Sequence, residues 1–342
     1  MQPLSVAPMM DITDRHFRSF LRCISKRTVL YTEMVTEQAI RFGDAERLLA
    51  FSPAEEPLVL QLGGSDPGGL ASAVRTAWQL GYSEVNLNVG CPSDRVQSGR
   101  FGACLMLDPP HVAELVSAMQ EASPLPVTVK HRIGVDDQDS YGQLLNFVDT
   151  VAEAGVSRFT VHARKAWLQG LSPRENREIP PLRHDVVQRL AAERPELQFE
   201  LNGGIRSLAQ ARDALSGAVS GVMIGRAVVD NPWLLARADP LFWDSPAPAA
   251  GPHQAVLDWL PYVEAMLAAG VPLRTLVRPL LGMFGGARGA RSWRRHLSEN
   301  AGRPGSGVHT VTEALSFVDT DQPLTNVAGD EVKLQGWNSS PG

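Results

Sequence analysis

Eight short apolar runs, separated by helical patterns and closed by polar or glycine-rich turns, constrain the fold of this chain most. They are Leu4–Ala7, Val29–Met34, Leu58–Leu62, Glu84–Val89, Val127–Lys130, Arg158–His162, Phe199–Asn202 and Gly221–Ile224. In the fourth run Val85, Leu87 and Val89 keep a period of two while Asn86 and Asn88 take the alternate positions. That is the pattern of a strand whose two faces meet different surroundings. Helical patterns fall between the runs. Asp66–Leu80 opens on Ser65 and Asp66 and stops at Gly81, and Pro109–Glu121 opens on prolines tolerated in a first turn. Ser140–Ala154 stops at Gly155, His184–Arg194 at Pro195 and Ser207–Leu215 at Gly217. This rhythm over about 235 residues predicts an α/β fold, a (β/α)8 TIM barrel. An open doubly wound sheet is disfavoured, because no GxGxxG opens a helix after an early strand.

Asp244–Pro252, with Pro246, Pro248, Gly251 and Pro252, reads as a linker and ends a barrel domain at 1–243. Beyond it Ala255–Leu267, Leu273–Leu281, Arg291–Asn300 and Val311–Val318 are helical with no strand pattern between them. A small all-helical domain is therefore expected over 244–318. The polar remainder, 319–342, lacks periodicity and is expected to be a disordered tail. No run approaches the roughly 18 apolar residues of a membrane span, and no secretory pattern opens the chain. Cys23, Cys91 and Cys104 are odd in number and form no CxxC pair, which argues against a disulfide framework or a zinc site. The expected compartment is the cytoplasm, with no membrane and no obligate protein partner.

The formal net charge is −5, which argues superficially against a nucleic-acid partner. Its distribution argues the other way. Between Arg274 and Arg303 lie seven arginines and a single acid, Glu299. An arginine-rich composition explains arginine over lysine but not this clustering, which suits a phosphate-facing patch.

In a barrel the C-terminal strand ends converge on one face. Read in order they offer Pro8, Met9 and Met10, then Glu33 with Met34, Gln61, and Asn88 with Cys91. Lys130 with His131, His162 with Arg164, Asn202-Gly203-Gly204 and Gly225-Arg226 complete the set. Glycine-rich turns after the seventh and eighth strands let backbone N–H groups approach a phosphate, and Arg226 adds a charged fork. They could equally be tight strand-to-helix turns. Gln61, Asn88 and Lys130 together suit a flat heterocycle with carbonyls and ring nitrogens, such as a flavin. Cys91 admits three roles: inert thiol, nucleophile or general acid. An acid must stay protonated near neutral pH, as an ordinary cysteine with a pKa of about 8.5 does. No local Cys–His pairing is present, and the proton donor is favoured.

Asn86-Leu-Asn-Val-Gly-Cys-Pro-Ser93, continuing through Val96, Gly102 and Leu105, resembles the signature of the tRNA-dihydrouridine synthases. Ala7-Pro-Met-Met10, Gln61-Leu-Gly-Gly64, Val127-Thr-Val-Lys-His-Arg-Ile-Gly134, His162-Ala-Arg164, Leu201-Asn-Gly-Gly204 and Ile224-Gly-Arg226 are similar to the same family. The stretches 162–181 and 292–301 resemble its DusA branch, and the resemblance covers residues 1 to about 318. It implies FMN lying against Pro8, Met9 and Met10 and held by Gln61, Lys130 and His162. The phosphate would sit on Asn202, Gly203, Gly204, Gly225 and Arg226. It further implies NADPH as reductant, D-loop uridines 20 and 20a of tRNA as substrate, and Asn88 in contact with the target uridine. Hydride would pass from the flavin to C6 and a proton from Cys91 to C5. Arg174, Arg177, Arg291, Arg294 and Arg295 fall where that branch contacts tRNA. Two rivals share parts of this pattern: a flavin barrel reducing a small molecule, and a tRNA-binding protein without catalysis.

Overall fold

The structure, a computed structural model, describes residues 3–93, 96 and 98–319. The expected tail lies outside them apart from Asp319. Eight strands run in chain order: β1 Leu4–Val6, β2 Leu30–Thr36, β3 Leu58–Gly63, β4 Val85–Val89, β5 Val127–Arg132, β6 Arg158–His162, β7 Gln198–Asn202 and β8 Gly221–Ile224. They pair in parallel in the order β1-β8-β7-β6-β5-β4-β3-β2. The ring closes between β1 and the residue before β2. Val6 N–H donates to the Val29 carbonyl (2.9 Å), and Val29 N–H to that of Leu4 (3.1 Å). Closure removes the unpaired edges an open sheet would leave. The (β/α)8 barrel expected from the sequence is the fold observed.

The connecting helices start where the chain supplies caps. Asp66 accepts from Gly69 N–H ahead of Pro67–Gln79, and Asp108 accepts from His111 N–H ahead of Pro109–Ala122. Ser140 and Gln143 form a reciprocal capping box at the head of Tyr141–Glu153. His184–Glu193 and Leu208–Leu215 follow β6 and β7. Between β2 and β3 the chain makes only short helices, among them Glu37–Phe42 and Ala45–Leu48, too brief to show a helical period in the sequence.

Each strand sorts its side chains by face. Leu87, Val89, Val129, Phe159, Val161, Phe199 and Leu201 are completely buried, and the Phe159 and Phe199 rings stack with centroids 5.7 Å apart. Each such residue contributes roughly 1.5–3 kcal/mol through burial. The inward face is polar, where barrels of this kind are usually filled by branched apolar layers. At its base Ser5 and Thr160 hydroxyls each donate to Glu200 at 2.6 Å, and Glu84 pairs with Arg158. Above them Asn86 Nδ2 donates to Thr128 Oγ1 (3.0 Å), Gln61 Nε2 to Asn86 Oδ1 (2.9 Å) and Asn88 Nδ2 to Gln61 Oε1 (2.9 Å). Leaving one of these buried amides unpaired would cost about 1–3 kcal/mol. The line climbs from the base of the barrel to the turn that carries Cys91.

The chain divides into two compact units. The first comprises Met1–Thr13, Val29–Ile205 and Ala211–Gly225 and holds all eight strands. The second comprises Asp14–Thr28, Arg206–Gln210 and the chain from Arg226, and its described part contains no strand. Its helices include Arg15–Leu21, Pro252–Ala268, Ala290–Asn300 and Val308–Leu315. Phe20 and Trp259 pack with ring centroids 5.2 Å apart, Trp259 Nε1 donates to Ser19 Oγ (3.2 Å), and Asp239 accepts from Ser25 Oγ and Lys26 N–H. These contacts draw Asp14–Thr28 into the helical unit. The expected helix Leu273–Leu281 stops at Leu276 and continues as a 3-10 turn over Arg278–Gly282. Pro279 supplies no N–H for an α-helical bond. No described helix is long and apolar enough to cross a membrane.

Candidate active site

Cys91 stands in the turn after β4, and that turn is fixed from three directions. Asn88 Oδ1 accepts the N–H groups of Gly90 (3.1 Å) and Cys91 (3.0 Å), the bond pattern by which asparagine closes a tight turn. Arg132 Nε donates to the Gly90 carbonyl (3.0 Å). The Cys91 carbonyl accepts the N–H of Ala103 (2.8 Å), and neighbouring Gly102 approaches so closely that a Cβ there would lie 2.5 Å from that oxygen. The thiol itself is half-buried, 3.5 Å from Ser93 Oγ. Burial raises the thiol pKa of Cys104, and pushes that of Cys23 up to about 11. Both shifts favour the protonated thiol.

Lys130 rises from β5 beside this turn. Its Nζ donates to Asn202 Oδ1 (3.2 Å), and Asn202 Nδ2 donates in turn to the Met223 carbonyl (2.9 Å). Burial, followed by the nearby Arg132, pulls the lysine pKa down to about 8, while Glu200 and Cys91 oppose the shift. Among the described residues Lys130 has no ion-pair partner. It is a partly desolvated cation with spare donors, suited to an electron-rich planar group or its anion.

His162 ends β6. Burial first, then Arg132, Lys130, Arg164 and Arg177, hold its pKa well below the usual histidine range, so the ring is neutral. Gly203 has φ +111°, and a Cβ there would lie 2.6 Å from His162 Cδ2. Glycine is what lets the β7 turn and this ring meet.

The remaining expected residues divide. Gln61 is buried in the amide line yet, among the described residues, keeps one unused hydrogen and one unused lone pair on its amide. Pro8 and Met9 are half-buried and Met10 is 51% exposed, which leaves an apolar ledge after β1. A Cβ on Gly225 would meet only Ala7, at 3.8 Å, and Arg226 follows it as an exposed residue. Asn88 is engaged at both ends of its amide, by Gln61 and by the Cys91 turn. Arg174 is exposed with a long 3.5 Å contact to Glu178, whereas Arg177 lies near enough to His162 and Arg132 to depress both pKa values. In the helical unit Arg291, Arg294 and Arg295 are exposed on Ala290–Asn300, opposite buried Trp293 and Leu297.

One strand-end residue turns away. His131 alternates with Lys130, so its ring enters the helix layer against Phe147 (4.9 Å) and Phe159 (5.7 Å). Three others gain a structural part that the sequence reading did not assign. Asn86 links Thr128 to Gln61, Arg132 holds Gly90, and fully buried Asn176 bonds to Trp167 and Leu171. The available signal for two of them was register. Asn86 and Arg132 stand two residues from Asn88 and Lys130 and so share their inward face.

Fold and site together define a (β/α)8-barrel enzyme whose candidate site stands at the C-terminal ends of its strands. Comparison with known proteins narrows that class. The pattern of the dihydrouridine synthase (Dus) family matches residues 5–317. A tRNA-dihydrouridine(20/20a) synthase of Synechocystis sp. is 54% identical, over 92% of this chain and 93% of its own length. Proteins of that same description from Yersinia pestis and Shewanella oneidensis are 52% and 51% identical. Those matches cover 93% of this chain in each case, and 92% and 94% of the relatives. The chain belongs to the dihydrouridine synthase family, and it is an enzyme of the flavin-dependent oxidoreductase class.

Proposed function

We propose that the protein reduces the C5=C6 bond of D-loop uridines 20 and 20a in tRNA to dihydrouridine, using FMN and NADPH, in the cytoplasm. The observation that carries the reading is the Cys91 turn, anchored by Asn88 and Arg132 at the mouth that also holds Lys130 and His162. The names of the relatives add the tRNA and its positions.

The residues present fit FMN. Lys130 has spare donors and no ion-pair partner among the described residues, Gln61 retains amide capacity, and His162 offers a neutral ring. Pro8, Met9 and Met10 supply an apolar surface for an isoalloxazine, and Asn202, Gly203, Gly204, Gly225 and Arg226 would receive the phosphate. When bound, FMN supplies hydride for C6, renewed from NADPH. Cys91 gives its proton to C5, so the two additions saturate the double bond and leave a thiolate to be reprotonated from solvent. A buried uridine cannot reach the barrel mouth while stacked, so the base must be extruded from the D-loop. Asn88 borders the extruded ring and fixes the thiol's height beside it. Arg174, Arg177, Arg291, Arg294 and Arg295 take tRNA phosphates, and the helical region over 244–318 acts as the tRNA-binding domain.

Incubation with NADPH and tRNA lacking modifications, followed by mass-spectrometric mapping, tests this reading. Addition of two hydrogens at positions 20 and 20a is expected. Oxidation of NADPH with no change in the tRNA would reject the substrate.

A further inference from the structure

Arg132 lies two residues beyond Lys130 on β5, and its side chain is only 3% exposed. Among the described residues its three hydrogen bonds all go to backbone carbonyls. Nε donates to Gly90, and Nη1 donates to Lys165 and to Asn176, each at 3.0 Å. Those carbonyls belong to separated places: the Cys91 turn, and two points of the irregular segment between β6 and His184–Glu193. Among the described residues Arg132 has no carboxylate partner.

Burying a charge without a counter-charge is costly, and a neutral amide could satisfy one carbonyl at less expense. A guanidinium differs in geometry, since its planar fork of five donors can hold several acceptors in fixed relation. Here it holds two segments together. The second segment is itself folded around Asn176. The Asn176 Oδ1 accepts the Trp167 N–H (2.7 Å), and Nδ2 donates to the carbonyls of Trp167 (2.9 Å) and Leu171 (3.2 Å). Arg174 and Arg177 flank Asn176. Displacing this segment must therefore strain the Asn176 carbonyl bond to Arg132. Displacing Arg132 must release the carbonyl adjacent to Cys91.

We propose that Arg132 is a positioning residue that joins the arginine-bearing segment to the thiol-bearing turn, so that seating the one on tRNA and fixing the other are a single event. The inference rests on the proposed roles of Cys91 and of Arg174 and Arg177. Its physical core, that Arg132 immobilises the Cys91 turn, can be read without turnover.

The primary test is Arg132→Lys, which keeps the charge but cannot span three carbonyls. Iodoacetamide labelling is followed by peptide mass spectrometry, with the unaltered protein labelled in parallel as the reference. Labelling of Cys91 relative to the unaltered protein should rise at least about threefold, with flavin content retained. The kcat for tRNA should fall by roughly tenfold to a hundredfold, the penalty typical of a slightly misplaced reacting group. An unchanged labelling ratio together with unchanged kcat would overturn the proposal. Cys91→Ala separates the two layers. If that variant still reduces tRNA, the reading of Cys91 fails, while the labelling ratio continues to report on Arg132.

Hydrogen exchange on the unaltered holoenzyme gives an answer should Arg132→Lys fail to fold. Peptides covering 89–92 and 164–177 should open together and gain protection together when tRNA is added. Opening rates differing by more than about tenfold would show that Arg132 does not couple them.

Discussion

Cys91 is held by its neighbours' backbone more than by contacts of its own side chain. Asn88 takes two N–H groups of its turn, Arg132 takes the Gly90 carbonyl, and Ala103 donates to the carbonyl of Cys91 itself. Gly102 makes the last of these possible. Its φ is +75°, and an added Cβ would lie 2.4 Å from Val96 Cγ1 and 2.5 Å from Cys91 O. Left-handed backbone costs an L-residue roughly 1–2 kcal/mol, and overpacking adds about 1–3 kcal/mol. Gly102→Ala should therefore move the turn and lower kcat for tRNA reduction by at least about tenfold, while flavin absorbance persists. A variant with full turnover would show that the close approach is unimportant. Cys91, Lys130 and Gln61 were legible in the sequence because each is a polar residue at the end of an apolar run. Arg132 and Asn176 were visible only as members of resembling stretches. Their partners stand up to 44 positions away, and no local pattern encodes such a meeting.

Strand β5 shows how alternation distributes chemistry. Lys130 and Arg132 face the barrel mouth, while His131 between them faces Phe147 and Phe159. The His131 Nδ1–H donates to the Arg132 carbonyl (2.7 Å), and among the described residues Nε2 has no partner. Burial, with Lys130 adding to it, pulls the ring's pKa down to about 4. Protons bind the unfolded chain's histidine near pH 6.5 but the folded chain's only near pH 4. Stability is thus full above about pH 6.5 and is lost as pH falls across that window, by roughly 3 kcal/mol for this group. His162, shifted in the same direction, adds to the loss. His131→Leu should flatten the pH dependence of urea-unfolding midpoints between pH 7 and about 4.5. An identical slope in the variant would exclude His131 as a contributor. The alternation itself was readable from Val127, Val129 and their neighbours. The polar filling of the barrel was less so, because Asn86, Thr128 and Glu200 look unremarkable until the strands are brought into register.

The two units have contrasting chemistry. The barrel unit carries Cys91, Lys130 and His162, and the helical unit presents Arg291, Arg294 and Arg295 on the exposed face of one helix. The helical content beyond residue 252 was legible from its patterns. The recruitment of Asp14–Thr28 was not, since it depends on Phe20 meeting Trp259 and Ser25 meeting Asp239, more than two hundred positions apart. If the five arginines neutralise tRNA phosphates, affinity should fall on the order of a hundredfold between about 50 and 200 mM salt. Replacing Arg291, Arg294 and Arg295 by alanine should flatten that slope, and a binding constant indifferent to salt would refute the patch. In the proposed reaction one thiol completes the reduction that the flavin begins. Its most direct measurement follows both half-reactions in Cys91→Ala by rapid-mixing absorbance and by dihydrouridine analysis. NADPH should still bleach the bound flavin at an ordinary rate, while dihydrouridine formation falls by roughly a hundredfold or more. Dihydrouridine formed at the unaltered rate would contradict it.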